Sequence, residues 1–560
     1  MPILTRIKIS EYHDSITLML VAKALLELPG VEDAAVVMGT PANREIIAAA
    51  GLLTDAALSA RPDDLLIAVR ASDEASGQAV LHQADMLLAA RAPKTTLTAQ
   101  RPKSLASAVA AAPKANLAVI SVAGRYAAAE ASAALQSGLH VLLFSDNVPL
   151  DDEISLKRLA VERGLLCMGP DAGTAIINGV ALGFANAVPR GRVGLVSASG
   201  TGLQGVTCGL ARAGVGVSQA IGTGGRDMSE PVGGLMMLAG LQALQDDPET
   251  DVIVLISKPP APPVAEQVFA QIRSFGEPSG GSGRSHDRAS RGTVPQGGFA
   301  LGDRPQPRSQ KPTVVCFLGA APLPIEATCG LYVTNLTQVA AAAGALARGE
   351  KPEDALARLE SESAGLIPLA AAEQKKLATG HAQRALRGLF VGGTFCYEAQ
   401  FILRNLPEPI YSNAPLDKDR TLGAVGAGSP GPYHICIDLG EDEFTQGRLH
   451  PMIDPTLRNR CIIQEAHDPT TAVILLDIVL GYGAHPDPAG AAVEAIREAG
   501  QIATEAGRHI VFVASVCGTE ADPQPLSRQE AKLRDAGVIV LPDNASAARL
   551  AGLITQAVHE

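Results

Sequence analysis

Short apolar runs alternate with longer amphipathic stretches along most of the chain, as in "VGLVSAS" and "DVIVLIS" and the segments that follow them. A continuously apolar run bounded by small residues is typical of a strand buried on both faces, and apolar residues three or four apart are typical of a covering helix. The pattern predicts an α/β protein with several doubly wound parallel sheets, Rossmann-like and flavodoxin-like, behind a small ferredoxin-like N-terminal unit.

The order of predicted elements divides the chain into five parts. These are a ferredoxin-like or ACT-like unit at 1–100, a Rossmann-like domain at 115–190, a flavodoxin-like domain at 191–346, a helical linker at 347–386 and a second flavodoxin-like domain at 387–560. Residues 276–310 are rich in Gly, Ser, Pro and Arg and lack periodicity, so we expect a disordered surface insertion within the third part.

Composition narrows the function classes. The 560 residues carry a net charge of −12 without a block of Lys and Arg, which argues against nucleic acid as a partner. The eight cysteines are scattered and form no CxxC pair, so reduced thiols and no metal site are expected. The first residues lack the apolar core of a signal peptide, and charges and glycines interrupt the longest apolar runs, which predicts a cytoplasmic protein that does not enter a membrane.

Two glycine-rich loops follow predicted strands of the third part, where an open α/β sheet binds its ligands. The first loop contributes Ser199, Gly200 and Thr201. The second contributes Gly224, Gly225, Arg226 and Asp227. Backbone N–H groups at a helix start attract anions, and an arginine can pair with a carboxylate or a phosphate. The two loops are predicted to hold one phosphate-bearing or carboxylate-bearing small-molecule substrate, although ordinary capped turns would have the same sequence.

The last part offers further candidate groups. The stretch "RLHPMIDPTLRN" brings together His450, Asp454 and Arg458 as candidate catalytic residues, with Arg458 holding a carboxylate and His450 moving a proton. An interface loop with structural salt bridges would explain the same residues. Another predicted helix start that could bind an anion contains Gly392, Gly393 and Thr394.

The segments "GLLCMGPDAGTAI", "RVGLVSASGTG", "AIGTGGRDM" and "LQDDPETDVIVLI" resemble the α chain of succinyl-CoA synthetase, in order and spacing, from about Val141 to Gly344. The resemblance implies that the loop residues Ser199, Gly200, Thr201, Gly224, Gly225 and Asp227 face phosphate and substrate. Two departures accompany it. No histidine lies between Lys311 and Gly380, where the family carries its active one, and no ATP-grasp domain is recognisable.

The segments "GLFVGGTFCYEAQ" and "HPMIDPTLRN" resemble the FdrA proteins, which are similar to a synthetase α chain fused to the C-terminal domain of a β chain. This resemblance, together with the missing histidine, predicts a subunit of a carbamoyltransferase acting on carbamoyl phosphate and oxamate in purine-ureide catabolism, with no cofactor. The first alternative is an NDP-forming acyl-CoA synthetase using CoA and ATP or GTP with Mg²⁺, and the second is a non-catalytic ligand sensor or scaffold. Partner subunits, a homo-oligomer or both are expected.

Overall fold

The computed structural model describes residues 1–91, 102, 104–276, 310–320, 330–377, 383–422, 433–445 and 449–556, apart from positions 10, 12, 14, 41, 42, 45, 46, 49, 63 and 123. The predicted insertion at 276–310 lies, except for its two end residues, outside the described residues. The chain divides into two units, one of Met1–Lys103 with Glu443–Leu449 and one of Ser104–Asp442 with His450–Glu560.

The first unit is a small antiparallel sheet covered by helices. Its elements are β1 (Ile3–Lys8), α1 (Ser15–Leu26), β2 (Val31–Met38), α2 (Asp55–Leu58), β3 (Leu65–Ala71) and α3 (Glu74–Arg91), with the strand order β1-β3-β2. Strand β3 is buried on both faces because two apolar clusters cover it. Leu65, Ile67 and Val69 pack into one cluster, whereas Leu66 and Ala68 pack into the other.

The second unit begins with a three-stranded parallel sheet, sheet B. Its elements are α4 (Leu105–Ala111), β4 (Leu117–Ile120), α5 (Gly124–Gln136), β5 (His140–Leu143), α6 (Leu150–Arg163) and β6 (Cys167–Met168). Helix α6 ends at Gly164, whose φ of +66° is the left-handed conformation that glycine adopts without cost.

A seven-stranded sheet, sheet C, follows. Its elements are β7 (Thr174–Ile177), β8 (Val180–Gly183), β9 (Arg190–Ser197), α7 (Gly200–Arg212), β10 (Val217–Gly222), α8 (Leu235–Asp246), β11 (Val252–Ser257), α9 (Pro262–Ser274), β12 (Thr313–Phe317), β13 (Leu331–Tyr332) and α10 (Leu336–Ala347). The order is β13-β12-β11-β9-β10-β7-β8. Neighbouring strands are parallel except for the pairs β10–β7 and β7–β8, which are antiparallel. The hairpin thus belongs to sheet C although it precedes the predicted boundary at residue 190.

Helices α11 (Pro352–Ala364) and α12 (Leu366–Gln374) occupy the predicted linker, and a six-stranded sheet, sheet D, completes the unit. Its elements are β14 (Ala385–Phe390), α13 (Gly393–Leu403), β15 (Ile410–Ser412), a 3₁₀ turn (Lys418–Arg420), β16 (His434–Asp438), α14 (Asp442–Thr445), α15 (Thr456–His467), β17 (Thr471–Val479), α16 (Pro488–Glu505), β18 (Val511–Cys517), α17 (Leu526–Asp535), β19 (Ile539–Leu541) and α18 (Asn544–Gln556). All neighbouring strands are parallel, in the order β15-β16-β14-β17-β18-β19.

Sheet C lies between two apolar cores of the second unit. One core contains residues of sheets C and D and of the helices between them, such as Val206 and Phe395. The other contains residues of sheets B and C, such as Leu142 and Val196. The predicted α/β class with several parallel sheets is confirmed. No described helix combines the length and the apolar character that crossing a membrane requires.

Candidate functional site: a junction of two helix starts

The N-termini of helices α7 and α13 meet in a buried junction between sheets C and D. The hydroxyls of Ser199 and Thr394 hydrogen-bond to each other. The backbone N–H of Thr394 donates to Oγ1 of Thr201 at 3.3 Å. Each helix follows the carboxyl end of a parallel strand, so two sets of helix-start dipoles point into the same region. The structure therefore brings together two of the three predicted anion-binding segments.

The start of α7 is fixed by two serines. Strand β9 ends at Ser197, whose Oγ accepts from the N–H of Ser199 at 3.1 Å and donates to the carbonyl of Ser199 at 2.8 Å. Ser199 is extended, and its Oγ accepts from the N–H of Gly202 at 2.9 Å, which makes it the N-cap. A Cβ on Gly202 would lie 2.6 Å from that oxygen, so the residue must be glycine.

The second glycine loop lies beside the first, because the N–H of Thr223 donates to the carbonyl of Ser197 at 2.8 Å. Gly224 has a φ of +85°, and a Cβ there would lie 2.3 Å from the carbonyl oxygen of Pro170. At Gly225 a Cβ would meet nothing within 4 Å. Gly224 is thus the residue at which this loop packs closely against the backbone of Pro170.

The charged residues of that loop are held by protein partners. Asp227 is fully buried and accepts from Nζ of Lys157 at 2.9 Å and from the N–H groups of Met236 and Met237 at 3.2 and 2.9 Å. Arg226 donates to the carbonyl of Val148 at 2.8 Å, and its Nε lies 2.8 Å from a carboxylate oxygen of Glu153. Both side chains tie the loop to helix α6 and the segment before it.

Two buried carboxylates approach the start of α13. Asp477 of β17 accepts from the N–H groups of Val391 and Gly392, both at 2.8 Å. Asp438, the last residue of β16, lies so close to Gly393 that a Cβ there would be 2.2 Å from its Oδ2. The glycine pair is needed because these carboxylates pack against it. We did not single out either aspartate from sequence, although each stands in an apolar strand where an acidic residue is unusual.

The predicted catalytic residues of the last domain have separate roles. Arg458 is buried, and its NH1 donates to the carbonyl of Asp477 at 2.7 Å. Asp454 accepts from the N–H and hydroxyl of Thr456 at 3.1 and 2.6 Å, at the beginning of α15. His450 lies 5.8 Å from the ring of Phe184, centroid to centroid. The catalytic roles given to these three residues remain predictions.

Burial moves several carboxyl pKa values toward neutrality around this junction. It raises the pKa of Asp477 to about 6 and that of Asp438 to about 7, with Arg458 and Lys258 respectively acting in the opposite direction. Such a carboxyl can be charged or neutral near pH 7, as acid–base chemistry requires.

Sequence comparison assigns the chain to a family. It is 41% identical over 545 residues, 97% of both chains, to the uncharacterized protein YahF of Escherichia coli (strain K12). The chain belongs to the YahF family. The sequence profile of the CoA-ligase family matches residues 389–554 of this chain. A second profile, described as the AllF heavy metal-associated domain, matches its residues 1–106.

Parts of the chain are also similar to more distant proteins, both in sequence and among solved structures. The α subunit of ADP-forming succinate–CoA ligase from Methanothermobacter thermautotrophicus is 32% identical over 121 residues, 21% of this chain and 40% of that one. A structure of dinucleotide-forming acetyl-coenzyme A synthetase 1 from Ca. Korarchaeum cryptofilum is 14% identical with a TM-score of 0.30, covering 79% of this chain and 83% of that chain. A superposition at that level carries no inference about this chain.

The prediction of a carbamoyltransferase is wrong, because the matched profile and the more distant relatives are those of CoA ligases. The predicted enzyme class, a transferase, is corrected with it. The matching relatives are named as single subunits of a ligase, so the lack of a histidine between Lys311 and Gly380 did not exclude that class. The resemblance to succinyl-CoA synthetase is confirmed, whereas the narrower assignment to FdrA proteins is not shown by these relatives.

The name of the N-terminal profile implies a heavy metal, which the residues do not fit. No cysteine precedes Cys167, so residues 1–106 contain no thiolate ligand. Among the described residues there is also no group of three His, Cys, Asp or Glu arranged to hold a metal ion. Soft metal ions are selected by sulfur ligands, so no metal chemistry is assigned to this unit.

Proposed function

We propose that the chain is the CoA-ligase subunit of an acid–thiol ligase, an NDP-forming acyl-CoA synthetase. The overall reaction joins a carboxylate to the thiol of CoA while a nucleoside triphosphate is cleaved to the diphosphate and phosphate. The observation that carries the proposal is the junction of Ser199, Thr201 and Thr394, where two helix starts face each other. The match of the CoA-ligase profile to residues 389–554 supports it.

In this proposal the junction holds the phosphoryl group of an acyl phosphate. The helix-start dipoles of α7 and α13 favour its negative charge, and the hydroxyls of Ser199 and Thr394 can turn from each other to donate to it. Arg226 is engaged by Glu153 and Val148, so we assign it to holding the loop in place. The dipoles are fixed before the substrate arrives, which suits the stabilisation of charge in the transition state.

The phosphoryl group would come from a second subunit. The sequence has no histidine between Lys311 and Gly380 and no recognisable nucleotide-binding domain. We therefore propose a nucleotide-binding partner that uses ATP or GTP with Mg²⁺ and delivers an activated acyl group to this chain. Succinate is a reasonable first acid for testing, since it is in the printed names of several relatives.

Calorimetric titration of the full chain with CoA and with inorganic phosphate tests the proposal. We expect both to bind, and we expect Thr394→Val to weaken phosphate binding about tenfold, the effect of one hydrogen bond to a charged group. Thr207→Val is the matched control. The Thr207 hydroxyl donates to the carbonyl of Gln204 inside helix α7 and does not take part in the junction. Absence of CoA binding, or equal phosphate affinity in the two variants, would contradict the proposal.

A further inference from the structure

The side chain of Asp438 lies at the start of α13 with one oxygen free. Its Oδ1 accepts from the N–H of Gly440 at 2.9 Å, whereas no described residue donates to Oδ2. The side chain is buried, yet Oδ2 is not fully sealed from solvent. Asn413 fixes the end of the strand, because its amide pairs with both the N–H and the carbonyl of Asp438 at 2.9 and 2.8 Å. An oriented carboxylate oxygen is thus held beside the proposed phosphate position.

Titratable side chains from four segments lie near Asp438. Lys258 follows β11 and favours the ionised form, whereas Glu441, just past the end of β16, and Asp477 of β17 disfavour it. His450, which precedes α15, is neutral and contributes no charge at pH 7. The ammonium of Lys258 lies 5.8 Å from the ring centroid of Tyr397 and forms no ion pair with a described residue. Burial outweighs these charges and raises the pKa of Asp438 to about 7.

His450 and Asp438 both approach the Cα of Gly440. The ideal Cβ position of Gly440 is 2.8 Å from Nε2 of His450 and 3.2 Å from Oδ1 of Asp438. The Nδ1 of His450 accepts from the N–H of Met452 at 3.2 Å, so in the neutral ring Nε2 carries the proton. The ring keeps partial solvent contact, but desolvation lowers the pKa of His450 to about 4. His450 is therefore neutral at physiological pH and donates a hydrogen bond through Nε2–H. Because Nε2 carries the proton, it has no free electron pair with which to act as a nucleophile.

We propose that Asp438 is the catalytic base that takes the proton from the thiol of CoA, while Nε2–H of His450 donates a hydrogen bond to the acyl oxygen. The inference rests on the proposed function and names the groups for its thioester-forming step. The thiol proton moves to Oδ2 of Asp438 as sulfur attacks the carbonyl carbon of the acyl phosphate. The bond from that carbon to the phosphate oxygen then breaks, phosphate leaves with the electron pair, and Asp438 returns its proton to solvent or phosphate.

The test measures thioester formation by the full chain from CoA and acetyl phosphate as a function of pH. In the parent the rate should be half-maximal near pH 7, where Asp438 is half ionised, and should level off above about pH 8. In Asp438→Asn the rate at pH 7 should fall by about 10²- to 10⁴-fold, the usual contribution of a general base. It should then keep rising to about pH 8.5, because only the free thiolate can react. Asp419→Asn, on the exposed 3₁₀ turn of the same domain, should behave like the parent.

The outcomes separate this inference from the proposed function. A parent that forms no thioester refutes the proposed function, and the inference falls with it. A parent that is active, together with an Asp438→Asn variant of the same rate and pH profile, refutes only the inference. If the variant does not fold, the parent alone decides, since a rate that rises more than about tenfold from pH 7 to 8.5 follows the free thiolate and excludes a base that is half ionised at pH 7.

Discussion

Replacing Lys157 by methionine should destabilise the second glycine loop. Lys157 is completely buried in α6, and its Nζ donates to a carboxylate oxygen of Glu153 at 2.8 Å, to Asp227 at 2.9 Å and to the carbonyl of Thr223 at 2.9 Å. Asp227 in turn accepts from two N–H groups at the start of α8. One ammonium group thus connects helix α6 to the loop that contains Gly224.

The loss of stability is set by the two buried carboxylates that remain without a cation. The side chain keeps a similar length but has no charge, so Glu153 and Asp227, both fully buried, lose their shared cation. Breaking a buried ion pair by removing one partner costs about 3–5 kcal/mol. We expect the lower end, because Glu153 also lies 2.8 Å from Arg226. Burial by itself would lower the pKa of Lys157. The attraction of Asp227 and Glu153 together outweighs that effect, so the pKa lies above its usual value. The stabilisation is therefore present at neutral pH and is lost only at strongly alkaline pH.

Hydrogen exchange of the peptide that contains the loop and the start of α8, with urea unfolding of the whole chain, measures this local stability. Lys157→Met should exchange faster and unfold at lower urea, whereas Lys114→Met, an exposed lysine of the same domain, should resemble the parent. Adding Glu153→Gln and Asp227→Asn should restore part of the loss, because no buried charge then lacks a partner. Equal stability of Lys157→Met and Lys114→Met would refute the reasoning.

Three further predictions concern the same unit. Gly224→Ala should lower the unfolding midpoint and the affinity for phosphate, because the new Cβ meets the carbonyl of Pro170. Gly225→Ala should change neither, and equal effects of the two substitutions in calorimetry would contradict this. Burial raises the pKa of Glu398 to about 7, so this group should lose on the order of 3 kcal/mol of stability as pH rises from about 4.5 to 7; the unfolding free energy of Glu398→Gln should lack that loss. Replacing residues 277–309 by a short Gly-Ser linker should leave the Tm unchanged, since the flanking residues lie in contact; a large decrease would show that the segment stabilises the fold.

The CoA-ligase assignment shows where the functional prediction from sequence failed. The strand and helix pattern predicted helix starts at Ser199 and at Thr394, but not that they meet, which only the structure shows. The lack of a histidine between Lys311 and Gly380 predicts a different substrate only if one chain carries every catalytic group. A sequence taken alone does not show which groups other chains supply.

The sequence by itself determined the α/β class, the strand-end loops and the positions of Ser199, Thr201 and Thr394. These features depend on periodicity and on residues that are neighbours in the chain, which local physical rules describe well. Only the tertiary structure decided that Asp438 packs on Gly393, that Asp477 binds the N–H groups before α13, and that Lys157 holds Asp227. The two members of each of these pairs lie 45 to 86 residues apart in sequence. Their contact depends on the order of strands in the sheets, which no local pattern specifies. Burial also raises the pKa of Asp438 and of Asp477, and burial follows from packing.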